Sequence, residues 1–337
     1  MIKKMMVILL MVLFATLLGA ETKVIPTPDL MKPEALFFDK TQMYVTEGTS
    51  IFIYSLKDLK LIKKFGKRGE GPQEFIVNPQ LPLLLHVQTE DIIAQSVGKL
   101  SWFTKDGEYK KELKLPNPLI LGIQPFGKNF VGMHLALGEK RWRNLNLYDD
   151  KISELKNIIK KEDIFQQGKG MVILKAQPFN PIYDNKLFLA WENDLKIKVL
   201  DTGLKELYTI KYDVEKQKMT EKNKKDVIHF FKTSPQTKDF FELLKPIKFT
   251  THFPAIQNII VTGNKIYIAT FKSKDEEEEN EFLIFDIKGK FLKQGFFPLK
   301  MSTPILPHPY SIHEGYLYQL VEDVDEEEWA FHVTEIK

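Results

Sequence analysis

The sequence contains no cysteine in its 337 residues. A chain without cysteine forms no disulfide, offers no thiolate to a metal ion and has no cysteine nucleophile for catalysis. Its stability must therefore come from side-chain packing and backbone pairing. This absence excludes the small secreted domains that are held together by disulfides.

An excess of one charge sign is also missing, since 48 lysines and arginines face 45 aspartates and glutamates. Nucleic-acid-binding domains usually carry a clear basic excess, so no nucleic-acid partner is predicted. Hydrophobic residues make up 43% of the chain and aromatic residues 12%, with 25 phenylalanines. This composition supplies a large core, and the aromatic content favours an all-β protein.

Long apolar runs are missing beyond the start of the chain. There, two lysines precede an apolar stretch that ends at Leu18, and Ala20 provides a small residue for cleavage. This pattern is typical of a secretory signal peptide, with an uncleaved anchor as the alternative. We expect residues 1–20 to be removed and residues 21–337 to reach the periplasm or the medium without a transmembrane segment. Glu21 stands where a lipoprotein needs cysteine, so no lipid anchor is expected.

Strands and polar turns recur along the rest of the chain with a period of roughly 40–50 residues, which is typical of β-propeller blades. Asp-containing turns follow the third strand of successive units at Asp106, Asp149, Asp201 and Asp286. The first two intervals are 43 and 52 residues, and the third, of 85 residues, holds one unit and an insertion. Short turns of this kind between alternating apolar residues predict hairpins.

We interpret residues 21–337 as an all-β protein, a six-bladed β-propeller. Five units have four predicted strands each, and the innermost strand of the fourth unit is expected at 171–177. The sixth unit, which begins near Tyr310, has only three. We expect a strand from about 21–28 to complete it, because closing the ring removes an exposed sheet edge.

Residues 213–247 interrupt the β pattern between the fourth and fifth units. Apolar residues recur at helical spacing in two groups, at 227–231 and 240–244. Thr220 is the predicted N-cap of a first helix, and Ser234, followed by proline, is the predicted start of a second. We expect a helical hairpin that is either a packing element or a mobile cover over a binding site, docked by its phenylalanines. Its lysines should attract the acidic loop at 275–279.

One segment, residues 65–75, reads Phe-Gly-Lys-Arg-Gly-Glu-Gly-Pro-Gln-Glu-Phe. It resembles the G-x-x-G-x-G-P-x-E-F signature that ends the first blade in bacterial six-bladed propellers of the NHL/TolB-like kind. Gln73 stands where that family often has a further glycine. The resemblance implies an exported propeller without assigned catalytic residues. It also suggests comparison with regucalcin-like lactonases and amidating lyases, which hold a metal in the central channel.

The long loops are expected on one face of the propeller, where rigid scaffolds usually build binding sites. These loops are the 66–74 crossover, the 137–142 loop, the insert at 213–247 and the loops at 272–280 and 322–328. The predicted binding residues are Arg68 and Glu70 in the crossover, and Arg141 and Trp142 in the 137–142 loop.

Catalytic motifs are missing as well, since the sequence has no H-x-x-x-H pair, no H-E-x-x-H pair and no G-x-S-x-G elbow. A propeller metal site would take single ligands from several inner strands, and His86, His252 and His308 lie nearest to such strands. We interpret these histidines as hydrogen-bonded or exposed residues. We therefore predict no catalytic residue, no metal and no other cofactor.

Two functions stay open at this point. The first is a non-catalytic envelope or secreted module, expected to be a monomer, that holds a protein, peptide or glycan on its loop-rich face. The alternative is a metal-dependent hydrolase or lyase with its site at the mouth of the central channel. Several carboxylate or imidazole groups converging in the channel would favour the enzyme.

Overall fold

The computed structural model describes residues 21–78, 82–176, 178–234, 237–274, 278–323, 326 and 328–336. The predicted signal peptide, residues 1–20, lies outside the described residues. No helix in the described ranges is both long and apolar enough to cross a membrane.

Strands account for most of the described chain. The first half contains β1 (Thr22–Pro26); β2 (Ala35–Phe38), β3 (Gln42–Glu47), β4 (Ser50–Ser55) and β5 (Leu61–Phe65); β6 (Lys67–Arg68) and β7 (Glu74–Phe75); β8 (Leu84–Val87), β9 (Asp91–Ser96), β10 (Lys99–Thr104) and β11 (Tyr109–Lys114); and β12 (Ile120–Phe126), β13 (Asn129–Ala136), β14 (Trp142–Tyr148) and β15 (Glu154–Glu162).

The second half contains the two helical segments. Its elements are β16 (Phe165–Gln166) and β17 (Gly170–Ile173); β18 (Ile182–Tyr183), β19 (Lys186–Leu189), β20 (Leu195–Leu200) and β21 (Glu206–Tyr212); the α-helix α1 (Glu221–Thr233) and a 3-10 helix (Lys238–Leu244); β22 (Ile247–Phe249); β23 (Asn258–Thr262), β24 (Lys265–Lys274), β25 (Glu279–Asp286) and β26 (Phe291–Pro298); and β27 (Tyr310–His313), β28 (Tyr316–Asp323) and β29 (Glu328–Glu335).

Six four-stranded antiparallel sheets form the body of the molecule. Sheets 1 to 5 contain β2–β5, β8–β11, β12–β15, β18–β21 and β23–β26, and sheet 6 has the order β1-β29-β28-β27. The innermost strands of the six sheets are β2, β8, β12, β18, β23 and β27. Each contacts the innermost strand of the next sheet, and β27 contacts β2 again. The six sheets therefore form a closed ring, and the predicted all-β propeller is confirmed.

The N-terminal strand closes this ring as predicted. Strand β1 pairs with β29 from Thr22↔Thr334 to Pro26↔Ala330. Beyond the strand, the backbone N–H and the hydroxyl of Thr27 both donate to the carbonyl of Trp329, at 2.7 and 2.8 Å. Leu30 then enters the core between sheets 6 and 1. The start and the end of the propeller are thus held in one sheet.

The core is divided among the gaps between sheets. Six clusters of buried apolar residues lie one between each pair of neighbouring sheets, including the pair formed by sheets 6 and 1. Alternation along the strands produces this arrangement, because successive side chains point to opposite faces and both faces of every sheet are covered. Burial of these apolar side chains is the main favourable contribution to folding.

Short turns between the third and fourth strands share one hydrogen-bond pattern. The carboxylates of Asp149, Asp201 and Asp286 each accept the backbone N–H groups two and four residues ahead, at 2.8–2.9 Å. In sheet 2 the hydroxyl of Thr104 accepts the N–H of Glu108 instead, at 3.1 Å. The repeat position is therefore Thr104, not Asp106 as the sequence spacing indicated.

One predicted strand belongs to a different sheet. The segment from Met171, expected as the innermost strand of the fourth blade, pairs as β17 in parallel with β22 and antiparallel with β16. The innermost strand of sheet 4 is the two-residue β18, and Gln177 lies outside the described residues. The prediction was wrong because the apolar run at 171–173 finds its partner at 247–249, far away in sequence.

The helical insert is present, with one correction. Thr220 caps α1 as predicted: its hydroxyl accepts the N–H of Asn223, and the Asn223 side chain accepts the N–H of Thr220, at 3.1 and 3.0 Å. Ser234 does not start a second helix; it ends the first by donating its N–H to Phe230 at 2.8 Å. The second element is a 3-10 helix that follows Thr237.

Candidate functional site

The predicted binding residues Arg68 and Glu70 lie in the crossover from sheet 1 to sheet 2, and both are exposed. Strands β6 and β7 pair in parallel within this crossover, Lys67 with Glu74 and Arg68 with Phe75. The two residues therefore stand on a compact loop whose backbone is fixed on both sides.

The glycine-rich motif of this crossover serves the packing of the loop. The Glu74 carboxylate accepts the N–H of Gly71 at 2.8 Å and pairs with Lys67 at 3.1 Å. The first of these bonds is the larger cause that holds the pKa of Glu74 below its usual value. From the next sheet, the buried ammonium of Lys99 donates to the carbonyls of Glu70 and Gly71 at 3.2 and 2.9 Å. These contacts account for the motif without a ligand.

Arg141 and Trp142 lie where the 137–142 loop enters β14, and both are half-buried. The backbone of Arg141 is fixed by the side chain of Gln166, and its guanidinium lies 5.1 Å from the ring centre of Phe165. The Lys160 ammonium lies 4.6 Å from the ring centre of Trp142. Packing already uses both side chains, and they stand on sheet 3, apart from Arg68 and Glu70.

The three singled-out histidines do not come together. His86 lies on the innermost strand of sheet 2, and its buried Nε2 has no hydrogen-bond partner among the described residues. His308 packs edge-on against Trp329, whereas His252 is exposed next to the insert. Burial lowers the pKa of His86 to about 4 and lowers that of His308 as well. In the described ranges, no three His, Asp or Glu side chains converge in a way that could hold a metal ion.

A cleft of about 550 Å³ lies between the insert, sheet 5 and the crossover to sheet 6; we call it the insert cleft. Its polar lining consists of the amides of Gln217, Asn223, Gln257 and Asn280 and the hydroxyls of Thr220 and Ser273. Its apolar lining consists of Phe253, Phe271, Leu299, Met301, Pro304 and Ile305. Lys218, Lys222 and Glu278 contribute its charges.

Backbone pairing at the base of the insert places the start of α1 at this cleft. The N–H of Met219 donates to Thr251 at 3.0 Å, and the N–H of Phe253 donates to Gln217 at 2.9 Å. The capping box at Thr220 then starts the helix beside the cleft. Val227 and Phe241 are buried beneath the insert, whereas Phe240 is half exposed, so only part of the expected aromatic docking is present.

The cleft combines polar donors and acceptors with an aromatic wall. Phe253 and Phe271 stack with ring centres 4.8 Å apart and planes 28° apart. The side-chain oxygen of Gln257 is buried without a hydrogen-bond partner among the described residues. A buried amide oxygen without a partner is less stable than one that is hydrogen-bonded to water.

Ion pairs of the insert reach both sheet 4 and sheet 5. Lys216 contacts Asp194, and Lys224 pairs with Glu221 within the helix at 2.6 Å. Among the described residues, Glu215 of the insert pairs with Lys272 of the 272–280 loop at 3.5 Å. Residues 275–277 of the acidic run lie outside the described residues, so the attraction of the insert lysines to this run stays a prediction. Because these pairs are largely exposed, each contributes only about 0–1 kcal/mol.

None of the four predicted binding residues lines the insert cleft. The sequence analysis placed the insert beside the 272–280 loop of the fifth unit. The insert cleft lies where these two segments meet. The lining residues Gln217, Gln257 and Phe271 carried no sequence signal, because isolated amides and phenylalanines are common in any globular chain.

Comparisons with known proteins support the fold alone. No family model matches the sequence, and no curated protein matches it either. A solved structure of a DUF4221 family member from Bacteroides vulgatus is similar in fold, with a TM-score of 0.52 and 13% identity over 95% of this chain and 98% of that one.

Two other solved structures are similar at lower TM-scores. The β-propeller domain of Swd1 from Myceliophthora thermophila has a TM-score of 0.42 and 9% identity over 94% of this chain and 100% of that one. PorZ of Porphyromonas gingivalis, a surface component of the type-IX secretion system, has a TM-score of 0.39 and 11% identity over 86% of this chain and 29% of that one. The likeness to the Bacteroides protein thus shows that this chain has a β-propeller fold.

Proposed function

We propose that this chain is a non-catalytic binding module, an exported six-bladed propeller of the NHL/TolB-like kind, that holds a glycan in the insert cleft. The observation that carries the proposal is the composition of that cleft, where amide and hydroxyl groups face a stacked phenylalanine pair. A sugar presents hydroxyl groups along its edges and C–H groups on its faces, and this lining can serve both. The cleft volume of about 550 Å³ is in the usual range for small-ligand sites.

The enzyme alternative lacks a supporting observation. A metal-dependent hydrolase or lyase needs several ligands that converge at the channel, and no three His, Asp or Glu side chains of the described residues converge in a way that could hold a metal ion. We therefore propose no metal, cofactor or catalytic residue.

The proposal is tested by calorimetric titration of the mature protein with a panel of neutral tetrasaccharides. At least one should bind saturably, and Gln257→Leu should weaken that binding about fivefold or more, because it replaces a polar amide side chain of the cleft lining with an apolar one. Gln88→Leu is the matched control, since Gln88 is exposed and outside the cleft.

Two results would contradict the glycan assignment. One is binding of short neutral peptides with no binding of any saccharide in the panel. The other is a saccharide affinity that Gln257→Leu and Gln88→Leu leave equally unchanged.

A further inference from the structure

A second site lies on the side of the molecule, between sheets 3 and 4, and does not depend on the function proposed above. A groove of about 450 Å³ separates β15 from the facing side of sheet 4. Its floor is apolar and includes Ile158, Ile159, Leu189, Trp191, Leu200 and Leu204. We call it the side groove.

A β-bulge in β15 changes which side chains of this strand face the groove. Asn157 pairs with Asn146 and Ile159 pairs with Leu145, so Ile158 has no partner of its own. An extra residue in one strand shifts the alternation by one position. Lys156, Ile158, Ile159 and Lys161 therefore all face the groove. Lys160 lies on the opposite face against Trp142.

Sheet 4 contributes lysines to the opposite wall. Lys196 and Lys198 alternate along β20 on the side that faces sheet 3, next to Leu200. Lys196 pairs with Glu192 at 3.2 Å, and Lys198 pairs with Glu206 at 3.3 Å. In the described ranges neither Lys156 nor Lys161 has an ion-pair partner, so the rim carries two uncompensated positive charges.

The rim acts electrostatically on the groups beside it. A hydrogen bond from Thr209 and the positive charges of Lys198 and Lys196 hold the pKa of Glu206 below its usual value. Lys196 and Lys198 are thus engaged by carboxylates of the chain itself, and a ligand carboxylate would be held by Lys156 and Lys161.

The apolar floor of the side groove is unfavourable for a peptide ligand. A peptide lying on it would bring backbone N–H and C=O groups onto apolar side chains, and unsatisfied buried groups of this kind are costly. The amide nitrogen of Asn157 is already occupied, because Nδ2 donates to Asn146 at 2.7 Å and to the carbonyl of Ile159 at 3.2 Å. An alkyl chain needs no hydrogen bonds.

We propose that the side groove binds a single-chain fatty acid, with its alkyl chain on the apolar floor and its carboxylate at Lys156 and Lys161. The groove continues toward the loop-rich face, because a second cavity of about 250 Å³ shares Lys161, Trp191 and Glu192 with it.

The probe is decanoate, used below its micelle concentration at low salt with the mature protein. Calorimetry measures the affinity. The intrinsic fluorescence, to which Trp191 on the groove floor contributes as one of four tryptophans, reports the position of the ligand when compared with Trp191→Phe. Lys156→Glu/Lys161→Glu should weaken binding about tenfold, because it reverses two charges at the rim. Lys151→Glu/Lys160→Glu makes the same change in charge at exposed positions outside the groove and should leave the affinity unchanged.

Decyltrimethylammonium carries the same alkyl chain with the opposite charge and should bind at least about tenfold more weakly than decanoate. Trp191→Phe should abolish the fluorescence response while calorimetry still detects binding. The proposal is overturned if decanoate shows no saturable binding, if both double variants bind it equally, or if the cationic amphiphile binds as well. Binding of an acidic amphipathic peptide in place of decanoate would also overturn it.

Discussion

His86 shows how one buried side chain makes stability depend on pH. Its Nε2 is shielded from solvent without a hydrogen-bond partner among the described residues, although part of the side chain is accessible. Burial penalises the charged imidazolium and lowers the pKa to about 4. In the unfolded chain the pKa is near 6.5, so the unfolded state binds more protons between these values.

We expect the free energy of unfolding to fall as the pH drops from about 6.5 toward 4. Relative to His86→Gln, the wild type should lose on the order of 1–2 kcal/mol between pH 7 and pH 5. Urea denaturation of both proteins at several pH values measures this difference. Parallel pH profiles would show that His86 is protonated as easily in the folded state as in the unfolded state.

Gly66 occupies a position in the glycine-rich crossover where an added side chain would clash with backbone. It has φ +90°, and an added Cβ would lie 2.6 Å from the carbonyl oxygen of Thr49 and 2.8 Å from the Phe75 ring. Gly48 is the matched control, because it has φ +54° and nothing within 4 Å of the added atom.

We expect Gly48→Ala to cost about 1–2 kcal/mol of unfolding free energy, the usual penalty of a left-handed residue. Gly66→Ala should cost at least about 2 kcal/mol more, because the clash with backbone and a buried ring is added. Chemical denaturation of the two variants compares these costs. Equal losses would mean that the crossover relaxes to admit a side chain.

At the scale of elements, β1 is the strand on which closure of the ring depends. It supplies the fourth strand of sheet 6, and Leu30 behind it is buried between sheets 6 and 1. Deleting residues 21–30 should lower the free energy of unfolding by at least about 3 kcal/mol, since it removes a ladder and buried apolar surface.

Thermal unfolding of the truncated protein measures this loss. A synthetic peptide of residues 21–30 should restore part of the stability by adding the missing strand in trans. Val24→Ala provides a control, because Val24 is 54% exposed and its loss leaves the ladder intact. Truncation that costs no more than Val24→Ala would show that β29 is stable as an open edge.

The elements around the insert include strands that the repeat along the sequence does not predict. The six-sheet ring follows a period that recurs along the chain, but β16, β17 and β22 belong to no repeat. Strand β17 pairs in parallel with a strand that follows α1 and the 3-10 helix. Such pairing depends on how far apart two segments lie in space, and no local pattern records that distance.

For the molecule as a whole, we predict that signal-peptide cleavage occurs directly before the strand that closes the ring. Strand β1 begins at Thr22, one residue beyond Glu21, the first residue expected after cleavage. Cleavage after Ala20 would therefore leave the closing strand intact, whereas cleavage several residues later would remove part of it.

Mass spectrometry of periplasmic and medium fractions should find an N-terminal peptide that begins at Glu21 and carries no lipid. Ala20→Gln, which places a large polar residue at the cleavage position, should shift or block processing. Intact Met1 on the exported protein, or recovery from membranes alone, would contradict this prediction.

The sequence by itself determined the fold class, the closing strand and the position of the insert. Each of these depends on local information: alternation along strands, recurring turns and a capping residue at Thr220. The tertiary structure alone decided the insert cleft and the side groove. These sites combine residues such as Gln217 with Phe271, or Lys156 with Lys198, that are distant in sequence. They become neighbours only when the ring closes, because side chains of different sheets meet through packing that no single segment specifies.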